Sequence, residues 1–119
     1  DVKGSMQSSL TDLSGIIQGL GEDDYIVEVE GHTDNVPIKT AKFPSNWELS
    51  SLRAVNVAKL FESMGVKKNQ LSAIAYADTR PKLPNLDTNG SPLPENQAKN
   101  RRVVVHVKSL NEMNEANND

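Results

Sequence analysis

The chain has 119 residues, a formal net charge of −3 and no cysteine. This length fits one domain with one modest core. The absence of cysteine excludes disulfides, thiolate metal sites and cysteine nucleophiles. A slightly acidic chain with one Trp, two Tyr and two Phe lacks the basic face and stacking platforms that nucleic acids need. We therefore expect no nucleic-acid partner, and neither a membrane span nor a signal peptide is predicted within these residues.

The first predicted element is an amphipathic helix at residues 5–20. Gly19 and Gly21 are expected to end it, as glycine often does. Its apolar side chains recur every three or four residues and mark one helical face: Met6, Leu10, Leu13, Ile17 and Leu20.

A strand is predicted at residues 25–30, where the side chains alternate in character. Val27 and Val29 point to one face, and Ile26 and Glu28 point to the other. A period of two in a run rich in β-branched residues is typical of a strand with one buried face.

Gly31 ends this strand, and the residues at 32–35 are short polar or hydrogen-bonding groups. The turn that they form places Asp34 where the carboxyl end of a strand meets solvent. In sheets built from strand–helix units, ligands gather at such ends. The same residue types also close turns that have no further function, so both interpretations stay open at this point.

A second helix is predicted after a proline-containing loop at residues 36–44. Ser45 and Glu48 have the Ser-x-x-Glu spacing of a capping box, and Gly65 follows Met64 as a C-terminal stop. Asn46, Leu49 and Arg53 lie along the shoulder of this helix, so Arg53 is beside its apolar face. The expected core stripe is Ala54, Val57, Phe61 and Met64.

Two further strands complete the predicted sheet. Residues 71–77 should pair in parallel with the first strand, because one helix connects the two. Residues 78–100 carry four of the six prolines and are predicted to be a functional or mobile loop. Residues 102–108 are nearly continuous in valine and are predicted to be a strand buried on both faces. The polar residues 111–119 are expected to form a frayed tail.

Enzymatic and metal-binding interpretations have weak support. His32, Asp34 and His106 are too few and too scattered to predict a metal site. No serine lies on a glycine-flanked elbow, and Asp34 and Asp78 are the only two acids at strand ends that could form a hydrolytic pair. His32 is instead expected to be a polar residue that fixes the turn. We expect no catalytic residue, no metal and no cofactor.

Asp34 and Arg53 offer a different chemistry. One anion and one cation close together usually form a salt bridge. If they are held apart, they can receive a zwitterion, because the carboxylate accepts from an ammonium and the guanidinium donates two parallel hydrogen bonds to a carboxylate. The head group of a free amino acid carries both charges on one carbon.

Three separated motifs resemble the OmpA-like peptidoglycan-binding domain: Gly-His-Thr-Asp at 31–34, Asn-x-x-Leu-Ser-x-x-Arg at 46–53 and Asn-Arg-Arg-Val at 100–103. The resemblance covers about residues 5–109. The sequences at 34–38 and 45–50 are further similar to the periplasmic domains of flagellar stator B subunits, the MotB and PomB type.

The resemblance implies a domain at residues 1–110, followed by the tail at 111–119. Its fold would be α/β, a mixed β-sheet with two main helices packed on one face. The first strand of the family is expected to precede residue 1.

The resemblance also implies a non-catalytic function. The domain would lie in the periplasm, bind the diaminopimelate of the peptidoglycan stem peptide, and anchor a flagellar stator to the cell wall. It would belong to an inner-membrane protein that forms a homodimer and contacts a stator A subunit, of the MotA or PomA type, through segments not among these residues. Wall anchors of the OmpA and Pal type remain the alternative, as does an interaction module with a degenerate pocket.

The same resemblance assigns roles to six residues. Asp34 would accept from the diaminopimelate ammonium, and Arg53 would donate to its carboxylate. The remaining positions would line the pocket or lie at its edge: Thr33, Asn46, Leu49 and Arg101.

Overall fold

A computed structural model describes residues 4–19 and 25–109, with side chains from residue 11 onward. The predicted stop at Gly21 and the tail at 111–119 lie outside the described residues. The elements in chain order are α1 (Gly4–Gly19), β1 (Tyr25–Gly31), α2 (Asn46–Ser63), a 3-10 turn (Lys68–Gln70), β2 (Leu71–Ala75), α3 (Pro94–Asn100) and β3 (Val103–Ser109).

The described strands form one mixed sheet in the order β2-β1-β3. β1 pairs in parallel with β2, with Val27 opposite Leu71, and antiparallel with β3, with Val27 opposite Val107. The predicted parallel strand–helix–strand connection is confirmed. β2 ends at Ala75 rather than Ala77, because Ala77 has a φ of 52° and turns the chain away from the sheet.

The core lies between this sheet and helix α2. Val27 and Val29 are fully buried and face Ala54 and Phe61, which are also fully buried. Burial of a side chain such as Phe61 stabilises a fold by about 2–3 kcal/mol. The predicted stripe is confirmed, except that Met64 is only half-buried because it lies at the C-cap.

Helix α1 packs against α2 and adds Ile17 to the same core. Gln18 joins the two helices, because its amide donates to the Met64 carbonyl at 2.6 Å and to the Ser14 hydroxyl at 3.0 Å. It thereby satisfies a carbonyl that the end of α2 leaves without a helical partner. The chain then leaves the helix through Gly65, whose φ is 107°.

Helix α2 begins as the sequence predicted. Ser45 is the extended N-cap, and its hydroxyl oxygen accepts from the Trp47 amide at 3.2 Å. The Glu48 carboxylate accepts from the Ser45 hydroxyl at 2.8 Å, so Glu48 completes the capping box by contacting the Ser45 side chain.

Two predictions were wrong in detail. Residues 94–100, predicted as loop, form α3, with Pro94 in the first turn and Lys99 in the last, which are favourable helix-end positions. β3 is not buried on both faces: His106 and Val107 are exposed, and its other residues are half-buried. β3 lies at the edge of the described sheet, while α2 lies mainly over β1 and β2.

The loop before α3 is fixed by Asn100, whose side chain is fully buried. Its amide oxygen accepts from the backbone N–H groups of Lys82 and Leu83, at 2.8 and 3.0 Å. Its amide nitrogen donates to the Leu83 carbonyl at 2.8 Å and to Asn85 at 2.7 Å. This one side chain therefore makes four of the hydrogen bonds that hold the loop. Within the described ranges, no helix is both long and apolar enough to cross a membrane.

Candidate ligand-binding site

The polar turn after β1 is held from both sides by backbone hydrogen bonds. The His32 N–H donates to the Arg102 carbonyl at 2.9 Å, and the Thr33 N–H donates to the Ala77 carbonyl at 2.8 Å. Thr33 and Asp34 are buried, with 3% and 7% of their surface exposed. Asp34 is therefore carried by backbone that both neighbouring segments fix, as a preorganised site requires.

Helix α2 approaches the end of β1 closely at Gly31. A Cβ atom at this position would lie 2.0 Å from the Ser50 carbonyl oxygen. Ser50 is fully buried, and its hydroxyl accepts from the Ala77 N–H at 3.0 Å and donates to the Trp47 carbonyl at 3.1 Å. Gly31 and Ser50 thus bring the first turns of the helix over the polar turn.

Both carboxylate oxygens of Asp34 have a partner. One accepts from the Val36 N–H at 2.9 Å, and the other accepts from the Arg101 guanidinium at 2.6 Å. Asp34 has 10% of its side chain exposed and Arg101 has 45%, so the pair lies at the boundary between interior and solvent. A short bond between a guanidinium and a carboxylate is among the strong hydrogen bonds of proteins.

Neighbouring polar side chains support this pair. The Asn46 amide donates to the Val36 carbonyl at 3.1 Å and, more weakly, to the Asp34 carbonyl at 3.4 Å. The Thr33 hydroxyl donates to the Asp34 carbonyl at 2.9 Å. Half-buried Leu49 lies between Asn46 and Arg53 along one side of α2. Asn46 therefore links the start of α2 to the turn that carries Asp34.

Arg53 is half-buried and has no hydrogen bond or ion pair within the described part of the chain. Burial lowers the pKa of its guanidinium, and the charge of Arg101 lowers it further, while the charge of Asp34 opposes both effects. The three charged groups therefore interact with one another. Since Arg101 already pairs with Asp34, Arg53 is a half-buried cation that no anion of the described residues pairs with, and the three groups sum to +1.

His32, the first residue of the turn, is 2% exposed. Its ring stacks on Tyr76 at 5.1 Å, and its Nε2 lies 3.2 Å from the Glu30 carboxylate, which also contacts His106 at 3.0 Å. Burial lowers the pKa of His32, although the hydrogen bond with Glu30 opposes this. Packing on Tyr76 and backbone pairing with Arg102 indicate a structural role. No three His, Asp or Glu side chains among the described residues are arranged to hold a metal ion.

The structure brings together Asp34, Arg53, Arg101 and Asn46, which the chain supplies from three separate segments. Sequence reasoning missed Gln97, whose amide donates to the Asn35 side chain at 2.8 Å and joins α3 to the turn. It also treated Gly31 only as a strand end. No local sequence pattern distinguishes a glycine against which a helix backbone packs from a glycine that only ends a strand.

The OmpA family profile matches residues 2–101, and the chain belongs to this family. Within it, the chain is 39% identical over 93 residues to Motility protein B of Helicobacter pylori strain J99, a match that covers 78% of this chain. It is 40% identical over 80 residues to Motility protein B of Bacillus subtilis, which covers 66% of this chain. The chain spans only 34% and 28% of the lengths of these two relatives.

Solved structures agree with these relatives. The C-terminal domain of Helicobacter pylori MotB (residues 125–256) matches with a TM-score of 0.79 and 30% identity, covering 99% of this chain and 85% of that one. The cell wall anchor of the type VI secretion system from Pseudomonas aeruginosa matches with a TM-score of 0.73 and 31% identity, covering 92% and 69%. The predicted fold class and the resemblance to MotB periplasmic domains are confirmed.

Proposed function

We propose that this domain binds peptidoglycan without chemical turnover, by gripping the free head group of diaminopimelate in the stem peptide. One observation carries the proposal: Arg53 is half-buried, has no hydrogen bond or ion pair among the described residues, and feels the charge of the buried Asp34 carboxylate. A half-desolvated guanidinium is costly unless an anion pairs with it, so the site is suited to a ligand carboxylate.

The second half of the recognition would use Asp34. The carbon of diaminopimelate that bears the carboxylate also bears an ammonium, and Asp34, whose charge acts on Arg53, would accept from that ammonium. Thr33 and Asn46 would hold the Asp34 backbone, Leu49 would contact the methylene chain, and Arg101 would border the pocket. Six residues are thus assigned to ligand binding and none to catalysis.

At the level of the whole protein, we propose that the domain anchors a flagellar stator of the MotB or PomB type to the cell wall. Similarity to Motility protein B in two organisms and to the MotB C-terminal domain supports this role. The domain would then be periplasmic, in an inner-membrane protein that acts as a homodimer and pairs with a MotA-type or PomA-type subunit through other segments.

A second wall-anchoring role has an observation in its favour. The match to the cell wall anchor of a secretion system has an identity close to that of the MotB domain, 31% against 30%. An OmpA-type or Pal-type anchor would use the same pocket in a different assembly. Loss of motility after deletion of the gene, with the cell envelope intact, supports the stator role, whereas an envelope defect in motile cells supports the alternative.

Binding is tested by titrating the 119-residue chain with muropeptides that carry diaminopimelate or lysine. Removing one member of a buried, hydrogen-bonded charge pair costs about 2–5 kcal/mol, so Arg53→Ala should weaken binding of the diaminopimelate stem about 30-fold or more. The lysine stem has no carboxylate at this carbon, so Arg53→Ala should reduce its affinity only slightly. Asp34→Ala should weaken both, since both offer an ammonium.

Lys59→Ala is the matched control, because it removes an exposed cation from the same helix without touching the pocket. Equal losses with Arg53→Ala on both stems would leave Arg53 a structural residue. Sedimentation with purified sacculi tests the broader claim, and a wild-type chain that stays in the supernatant would contradict wall binding. Soluble muropeptides released in proportion to time and protein would contradict the non-catalytic assignment.

A further inference from the structure

In the structure, an internal cation already occupies the place proposed for the ligand's ammonium. The Arg101 guanidinium donates to one oxygen of Asp34 at 2.6 Å, while the Val36 N–H takes the other oxygen. An incoming ammonium must therefore share or displace Arg101. The Arg101 side chain is 45% exposed and has no other hydrogen bond within the described residues, so it is free to leave Asp34 without disrupting the core.

Displacement of Arg101 has different consequences for two kinds of ligand. A ligand with only an ammonium replaces one charge-assisted hydrogen bond with a similar one, which gains little. It also raises the summed charge of the site from +1 to +2 and leaves Arg53 without a counterion. A zwitterion keeps the sum at +1 and places its carboxylate beside Arg53.

The displaced guanidinium can then act on that carboxylate. The charge of Arg101 is close enough to Arg53 to lower the Arg53 pKa, so an anion that pairs with Arg53 lies within the field of both guanidiniums. Arg101 would lose its ion pair with Asp34 and would pair in part with the ligand's carboxylate. Only a ligand with both charges makes this exchange possible.

We propose that Arg101 is a specificity-determining residue that changes its hydrogen-bond partner when the ligand binds. Arg101 releases Asp34, which then accepts from the ligand's ammonium, and the Arg101 guanidinium donates to the ligand's carboxylate instead. This inference rests on the proposed function and narrows the ligand to a zwitterionic head group with a free carboxylate. Stems with lysine, or with diaminopimelate whose carboxylate at this carbon is amidated, carry only the ammonium, and the contact between Arg101 and Asp34 weakens their binding.

The test compares three muropeptides of equal length, carrying diaminopimelate, its amidated form and lysine, by calorimetric titration of the wild type, Arg101→Gln and Arg101→Lys. Arg101→Gln keeps length and polarity without the charge. Removing the competitor makes one charge-assisted hydrogen bond of Asp34 available to the ligand, so binding of both amine-only stems should strengthen about 10-fold or more. Binding of the diaminopimelate stem should stay the same or weaken. Arg101→Lys should retain most of the selectivity.

The ratio of affinities between the zwitterionic and amine-only stems decides the proposal. A ratio about 10-fold lower in Arg101→Gln supports it. An unchanged ratio overturns it, whether all three affinities rise, as for a simple competitor, or all fall, as for a general structural contact. Wild-type chain that binds none of the stems would overturn the proposed function as well. Matching thermal unfolding of the variants, together with their Kd values, separates these outcomes from misfolding.

Discussion

Gly31→Ala should be strongly destabilising, because this glycine is the point where helix α2 touches the sheet. The added Cβ would lie 2.0 Å from the Ser50 carbonyl oxygen and 2.8 Å from its carbon. Close contacts between carbon and a carbonyl oxygen are normally about 3.3–3.6 Å, so strand and helix must separate by roughly 1.3 Å. Both groups in contact belong to the backbone, and no side-chain rotation relieves the clash.

The free energy of unfolding should fall by about 2–4 kcal/mol in this variant. Overpacking of a tight site costs about 1–3 kcal/mol. Loss of the hydrogen bond between Ser50 and the Ala77 N–H adds about 1 kcal/mol. The total free energy of unfolding of natural domains is only about 5–15 kcal/mol, so the loss in Gly31→Ala is a large fraction of the total. At about 4 °C per kcal/mol, the Tm should fall by ~8–16 °C.

Urea unfolding followed by circular dichroism measures this loss, and Gly15→Ala is the matched control. Gly15 lies inside helix α1 with nothing within 4 Å of its added Cβ, so alanine should stabilise the chain by up to about 1 kcal/mol through its helix propensity. The same chemical change should thus have opposite signs at the two positions. A loss below about 1 kcal/mol for Gly31→Ala would refute the claim that this contact fixes α2.

Two further predictions concern stability. Stability should fall as the pH drops below the ordinary His value of 6.5, because burial lowers the pKa of His32 and the unfolded chain then binds the proton more readily. His32→Phe, which retains the stacking on Tyr76, should flatten the pH profile measured by urea unfolding, and an unchanged slope would contradict this. Asn100→Ala removes four hydrogen bonds at a buried site and should cost about 3 kcal/mol. Trypsin should then cleave faster after Lys82, whereas wild-type resistance would show that the loop is held by other contacts.

The main elements could be predicted because their signals are local. Alternation at Val27 and Val29 set the buried face of β1, and Ser45 marked the start of α2. Helix α3 was missed because its cues, such as Pro94, occur in a stretch dense in proline and asparagine that also fits a loop. The burial of β3 was overestimated because a run of valines reveals a strand without showing how many neighbours cover it.

The sequence suggested candidate residues for the site but not their contacts. Asp34 and Arg53 were proposed from their positions at the end of a strand and beside the apolar face of a helix. That Asp34 pairs with Arg101 depends on a contact between residues 67 apart in sequence, for which the chain carries no local pattern. Family motifs named Arg101 as a pocket residue without indicating that it occupies Asp34.

This long-range pair also has a consequence for how the domain forms. A contact between distant residues stabilises the chain only after the loop between them has closed, which costs conformational entropy. Folds rich in such contacts therefore form slowly. β1 lies between β2 and β3, and its final turn is completed only when Arg102 pairs with His32. A chain that ends before residue 101 therefore contains Asp34 and Arg53 but lacks β3 and the Arg102 carbonyl, which fix the turn that carries Asp34. Truncation ahead of β3 should leave the residues of the candidate site without the backbone contacts that hold them in register.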